Sequence, residues 1–192
     1  YLSGNNIDDL GPLSWLTNLT YLDLSDNNIA DVGPLSGLTN LNYLDLSGSN
    51  IEDVGPLSGL TNLNHLDLSD NNVVDFRPLS GLAHLEYLNV RDNPLDEEAL
   101  SVEIPALQAR GVEVEWNVAI PAGNLRTALE EQLGREAGGP IYNTDSFGNL
   151  HFNDREIYNL AGLEWITSLW FLDVRDNPLD EEALNVQIPA LQ

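Results

Sequence analysis

At 192 residues and 42% hydrophobic side chains, the chain is long enough to bury a sizeable core and too apolar for disorder, despite a net charge of −24. All seven basic residues are Arg, and so acidic a surface disfavours nucleic acid and anionic membrane while favouring cations or basic partners. Cys is absent, which excludes a disulfide framework, a thiolate metal site and a cysteine nucleophile.

An Asp-rich chain without Lys also suits a salty medium, where screening tames self-repulsion. Met is absent, even at position 1, which points to a processed or excised piece. No run of ~18 apolar residues offers a membrane span, and no signal peptide is present to be read.

The chain begins with Tyr1–Trp15 and then gives one phrase three times, as Leu16–Gly37, Leu38–Gly59 and Leu60–Gly81. Stacking the copies sets Leu22, Leu44, Leu66 and Leu88 in one column and Leu24, Leu46, Leu68 and Val90 two residues on, with Leu2 beside them. Leu-x-Leu is the period-2 signal of a short strand with one buried face. Ile7, Ile29, Ile51, Val73 and Leu95 follow, then Leu10, Val32, Val54 and Phe76, then Leu13, Leu35, Leu57 and Leu79. The spacing L-x-x-L-x-x-L-x-L-x-x-N-x-I-x-x-V-x-x-L is that of a leucine-rich repeat, in which no coil is stable without a neighbour.

Two polar columns run alongside. Asn5, Asn27, Asn71 and Asn93 turn the chain out of its strands and are expected to bond backbone groups of adjacent coils, with Ser49 as the exception and weakest link. Asp9, Asp31, Asp53 and Asp75 precede Gly-Pro-Leu (Arg-Pro-Leu in the fourth coil), where Pro starts a 3₁₀ turn and Asp caps its free N–H groups.

After Asn93 the pattern breaks. Acid residues behind Pro94 predict a helix over Leu95–Leu100, and Pro105 a second one over Ile104–Ala109 ended by Gly111. Val112–Trp116 alternates as a final edge strand. Beyond Ile120–Asn124, the residues Leu125, Ala128, Leu129 and Leu133 have helical spacing up to Gly134. From Leu150 the repeat returns, and residues 174–184 duplicate 90–100 letter for letter as VRDNPLDEEAL. Trp165 corresponds in register to Trp15, so Tyr1–Trp15 is expected to be a first coil whose own cap is lost or not included. The expected organisation is repeats over 1–93, a C-terminal cap over 94–117, a helical N-cap over 118–149, short repeats over 150–177 and a partial C-terminal cap over 178–192. The parent would then be a tandem of capped units.

With Pro-Leu on its convex turn, the 22-residue repeat resembles the class shared by bacterial internalins and a eukaryotic phosphatase regulator. IPAGNLRTALEEQLG looks like the helical N-cap of internalin-like bacterial surface proteins, although Ile141–Ile157 is shorter than that family's connection from cap to repeat. The resemblance implies an α/β fold: a right-handed solenoid with a parallel sheet on its concave side, 3₁₀ turns on its convex side and helical caps. It also implies an extracellular or bacterial cell-surface location and protein binding.

In this register the outward strand positions form ladders. One holds Tyr21, Tyr43, His65, Tyr87 and Phe171; the next holds Tyr1, Asp23, Asp45, Asp67, Asn89 and Asp173, with His151; a third holds Ser25, Ser47, Ser69, Arg91 and Arg175. Tyr offers large contact area at low entropy cost, and the carboxylates suit Arg or Lys from a partner protein. Three other readings stay open: an Asp column that only keeps the sheet soluble, calcium held between Asp23, Asp45 and Asp67, and a surface glycan bound by the aromatics. A structural spacer or filament built by self-association of tandem units is the alternative function. Catalysis finds little support: His65, His84 and His151 share no metal spacing, and neither G-x-S-x-G nor a phosphate-binding loop occurs. Asn18-Leu19-Thr20 is a glycosylation sequon lying within the repeat phrase itself.

Overall fold

The computed structural model describes residues 1–96, 98–118, 123–143, 145–166, 168–180 and 183. Glu97, the 119–122 stretch and most of the predicted cap over 178–192 lie outside the described residues. The chain divides into two compact units, Tyr1–Glu115 and Trp116–Gln192.

In the first unit the Leu-x-Leu signal becomes a row of three-residue strands: β1 (Tyr21–Asp23), β2 (Tyr43–Asp45), β3 (His65–Asp67), β4 (Tyr87–Asn89) and β5 (Glu113–Glu115). They form one parallel sheet in chain order. Tyr21 pairs with Tyr43 and Tyr43 with His65, so register and repeat length coincide. Leu24, Ile29, Leu35, Leu44, Leu46, Ile51, Val54 and Leu57 are fully buried between coils. Each such side chain stabilises by about 1.5–3 kcal/mol only because a neighbouring coil covers it.

On the opposite side each coil makes a 3₁₀ turn beginning at Gly11, Gly33, Gly55 or Arg77. The Asp two residues earlier accepts the first N–H of the turn, at 2.8 Å for Asp9–Gly11 and Asp31–Gly33 and 2.7 Å for Asp53–Gly55. A Cβ on any of these glycines would stand 2.9 Å from the same carboxylate oxygen, so a larger residue requires the Asp side chain to shift slightly. Arg77 replaces glycine in the fourth coil and engages Asp75 with its side chain, Nε at 2.9 Å and Nη2 at 2.6 Å.

The asparagine column works as a set of staples. Asn71 Oδ1 accepts the Ile51 N–H of the preceding coil, and its Nδ2 donates to the Leu46, Leu68 and Ser69 carbonyls. Asn27 and Asn93 repeat the pattern. At Ser49 the hydroxyl is buried and has no hydrogen-bond partner. Ser49→Asn is therefore expected to stabilise the unit by about 1–2 kcal/mol, by giving Ile29 the acceptor that Ile7, Ile51 and Val73 have. Thermal unfolding checks this, and a lower midpoint in the variant would contradict the register.

The cap differs from the sequence expectation. Leu95 and Asp96 lie outside any helix and Glu98 is helical; a π-helical run, Ala99–Glu103, leads directly into α1 (Ile104–Ala109), so the described residues give one continuous helical stretch rather than two separate helices. Pro105 has no N–H to offer one turn back, so the winding widens and Ile104 N–H reaches the Ala99 carbonyl instead. Asp96 Oδ1 receives the Ala99 N–H at 2.8 Å. Glu103 is 8% exposed and accepts the Phe76 N–H of the last coil at 3.1 Å, tying cap to repeat.

In the second unit, α2 (Asn124–Leu133) buries Leu125, Ala128 and Leu129 and ends at Gly134, whose φ of +66° makes the left-handed cap. The helix packs on a core that includes Phe147, Leu150, Phe152, Ile157, Leu160 and Leu163. Glu130 accepts from Gly138 N–H and Arg126 Nε, pinning the Gly138–Pro140 turn to the helix. Strands β6 (Gly148–His151) and β7 (Leu169–Asp173) are parallel, and Asn177 staples them as Asn71 does in the first unit. Trp165 packs edge-on to Trp116, with ring centroids 6.4 Å apart, whereas Trp15 at the matching register is 87% exposed. No helix among the described residues is long and apolar enough to cross a membrane.

Candidate functional site

Strand alternation sends Leu22, Leu44, Leu66 and Leu88 inward and leaves the flanking residues on the outer face of the sheet. There the aromatic column closes into a stack. Ring centroids are 4.2 Å apart for Tyr21–Tyr43, 4.5 Å for Tyr43–His65 and 4.3 Å for His65–Tyr87, with interplanar angles of 5°, 10° and 12°. Parallel strands ~4.8 Å apart bring equivalent rings this close, and a small lean brings them to contact. Tyr1 extends the stack at 5.3 Å and 56°. Its backbone lies in the aspartate register, since Leu2 N–H bonds the Asp23 carbonyl as Leu24 N–H bonds that of Asp45, but its ring crosses to Tyr21.

The stack decides what a partner meets. From Tyr43 through His65 both ring faces are covered by neighbouring rings, so ring edges rather than faces are left for a partner. A sugar that stacks on an aromatic face finds none open there. Burial is the largest influence raising the Tyr21, Tyr43 and Tyr87 phenols above their ordinary range; the Tyr43 and Tyr1 hydroxyls add to it at Tyr21, and Glu115 does so at Tyr87. The hydroxyls therefore stay protonated donors well above neutral pH.

Beside the stack, each aspartate closes the exit of its strand. Asp23 Oδ1 accepts both the N–H and the hydroxyl of Ser25, and Asp45 and Asp67 do the same with Ser47 and Ser69. The Leu-Asp-Leu-Ser phrase thus has a structural task on one oxygen, and the second oxygen is left over. At Asp67 that second oxygen takes Asn89 Nδ2 at 3.0 Å. Burial raises the Asp45 carboxyl; the Ser47 bonds lower it, and Asp67 and Asp23 add repulsion.

Two residues read from sequence as facing solvent hold the outward register but are covered. Asn89 is 8% exposed, held between Asp67 and the Arg91 N–H, and Asp173 is 9% exposed under Arg175. Arg91 pairs with Glu115 at 3.1 Å. In the second unit His151 pairs with Asp173 in the ladder, and its ring lies 5.0 Å from that of Phe171. Trp170 was not among the sequence candidates and is 76% exposed. The register slips between Gly148 and Asn149, opposite Leu169 and Phe171, which leaves Trp170 without a partner position. Four hydrophobic letters in a row, Leu169-Trp170-Phe171-Leu172, break the strand alternation and were the available signal of a bulge.

Two stretches, residues 17–59 and 61–101, match the family model for leucine-rich repeats. A search of curated proteins finds no match. Among solved structures, a leucine-rich repeat protein of Leptospira interrogans aligns at 24% identity with a TM-score of 0.52, covering 57% of this chain and 29% of that one. An internalin of Listeria monocytogenes, inlF, aligns at 22% identity with a TM-score of 0.47, covering 93% of this chain and 48% of that one. Internalin C2 of the same organism gives 26% identity and a TM-score of 0.47, with 90% and 68% covered. The chain thus spans about half the length of the inlF structure.

Proposed function

From a chain whose residues 17–59 and 61–101 are leucine-rich repeats, we propose a non-catalytic module that binds another protein on the outer, concave face of its sheet. The observation that carries this reading is the continuous Tyr21–Tyr43–His65–Tyr87 stack beside the aspartates. It offers rigid aromatic area already ordered before binding, so little side-chain entropy is lost on association. The likeness to internalins supports a place outside a bacterial cell, on its surface or secreted.

Selection of random displayed dodecapeptides on the chain tests the reading. Binders are expected to lose about tenfold or more in affinity when Tyr21, Tyr43 and Tyr87 are replaced together by alanine, by isothermal titration calorimetry. Binders indifferent to that triple variant would favour a spacer or filament role. Millimolar calcium in a parallel thermal unfolding series tests a cation between Asp23, Asp45 and Asp67, which would raise the midpoint by mass action.

A further inference from the structure

Resting on that reading, we propose that Asp23 and Asp45 together receive an arginine side chain from the partner, one guanidinium bridging the two carboxylates beside Tyr21 and Tyr43. The second unit displays the chemistry at the same register. Asp173, in the aspartate column, is gripped by Arg175 from the next column, with Nε 2.8 Å from Oδ1 and Nη2 2.6 Å from Oδ2. In the first unit the position equivalent to Arg175 carries Arg91 in the fourth coil, paired with Glu115 at 3.1 Å, and Ser25, Ser47 and Ser69 in the others, whose hydroxyls bond the aspartate Oδ1 alone. Asp67 has Asn89 on its other oxygen, whereas among the described residues no side chain takes Oδ2 of Asp23 or Asp45. The fold thus sets a guanidinium against a carboxylate where this column carries Arg, and leaves Asp23 and Asp45, whose coils carry Ser, without one.

Geometry favours arginine over lysine. Adjacent strands place the two carboxylates ~4.8 Å apart, where they repel. A planar guanidinium has N–H groups pointing to both sides and bonds both at once, while an ammonium is a compact, strongly hydrated point charge. Asp67 and Asp23 repel the Asp45 carboxylate, and the same contact offsets that repulsion. Charge complementarity extends beyond the pair, since the whole chain carries −24.

The test uses the peptides selected above, resynthesised with Arg unchanged or replaced by Lys, and titrated calorimetrically into wild-type chain and the Asp23→Asn/Asp45→Asn double variant. Asparagine keeps the Oδ1 acceptor for Ser25 and Ser47, and Asn89 already occupies this column with its Oδ1 on the Arg91 N–H, so the variant is expected to fold, with its thermal midpoint as the check. Selected peptides should contain Arg, lose about fivefold to tenfold on change to Lys, and lose about tenfold on the double variant, which should also erase the difference between Arg and Lys. Peptides that need the tyrosines but bind the double variant unchanged would overturn the arginine assignment and leave concave-face binding standing. Absence of any tyrosine-dependent peptide would overturn both.

Discussion

Asn71→Ala is expected to destabilise the first unit by about 3 kcal/mol, more than any other single polar truncation on the sheet side. Asn71 is 6% exposed and makes four bonds, accepting from Ile51 N–H at 2.9 Å and donating to Leu46, Leu68 and Ser69 carbonyls at 2.9, 3.1 and 3.1 Å. Alanine removes all four and leaves these backbone groups without a side-chain partner. An orphaned buried N–H costs about 1–3 kcal/mol, and the deprived carbonyls add to it. Asn5 supplies the control, because it is exposed and bonds only the nearby Leu2 and Ser3 carbonyls. Asn5→Ala should change stability by about 0.5 kcal/mol or less. Urea unfolding of both variants decides the matter: a loss below about 1 kcal/mol at Asn71 would mean the column is not what ties the coils.

Glu103→Ala is expected to cost about 2 kcal/mol, and Glu103→Gln almost nothing at neutral pH. Alanine leaves the buried Phe76 N–H without an acceptor, while glutamine retains one. The ion pair matters less: Arg77 Nε is 3.5 Å from Glu103, and Arg77 is already engaged by Asp75 at 2.6 Å. Burial, with Asp75 behind it, raises the Glu103 carboxyl above its usual range. The folded state thus holds the Glu103 proton more tightly than the unfolded chain does, so this group favours folding at acid pH and loses that contribution as pH rises through its folded value. Asp75 runs the other way. Hydrogen bonds from Arg77 hold it down to about 2, so its contribution is present above the ordinary aspartate value and disappears as pH falls toward 2. Glu103→Gln should equal or exceed wild type near pH 7 and fall behind it below about pH 4, measured by thermal midpoints across that range. A pH-independent difference would mean that Glu103 does not titrate where burial places it.

Much of the first unit was legible because one spacing fixes several columns at once. Leu22, Leu44 and Leu66 locate the strands, and a residue on either side of them then has only one face to occupy. The unsatisfied Ser49 hydroxyl could be anticipated for the same reason, as a break in an otherwise uniform column. What escaped depends on side-chain reach and on local slips. Tyr1 sits in one column by backbone and in another by ring. Asn89 and Asp173 occupy outward positions yet are covered by the longer side chains around them. The π-helical run before Pro105 follows from a missing N–H whose effect depends on the packing of the whole cap. Trp170 stands out through a one-residue slip, which periodic reading smooths over.

The equality of register and repeat length has a further consequence for how such a surface changes over time. Tyr43 pairs with His65, and His65 with Tyr87, through the same interval that separates Asp53 from Asp75 on the opposite side. A tandem duplication of one repeat therefore returns every staple, turn and ring to an equivalent neighbour, and lengthens the face by one rung of ~4.8 Å. Deletion of a whole repeat shortens it by the same step, whereas gain or loss of a single residue turns a strand's inner side chains outward. Unequal crossing-over can thus tune reach in discrete steps while each rung's chemistry varies independently.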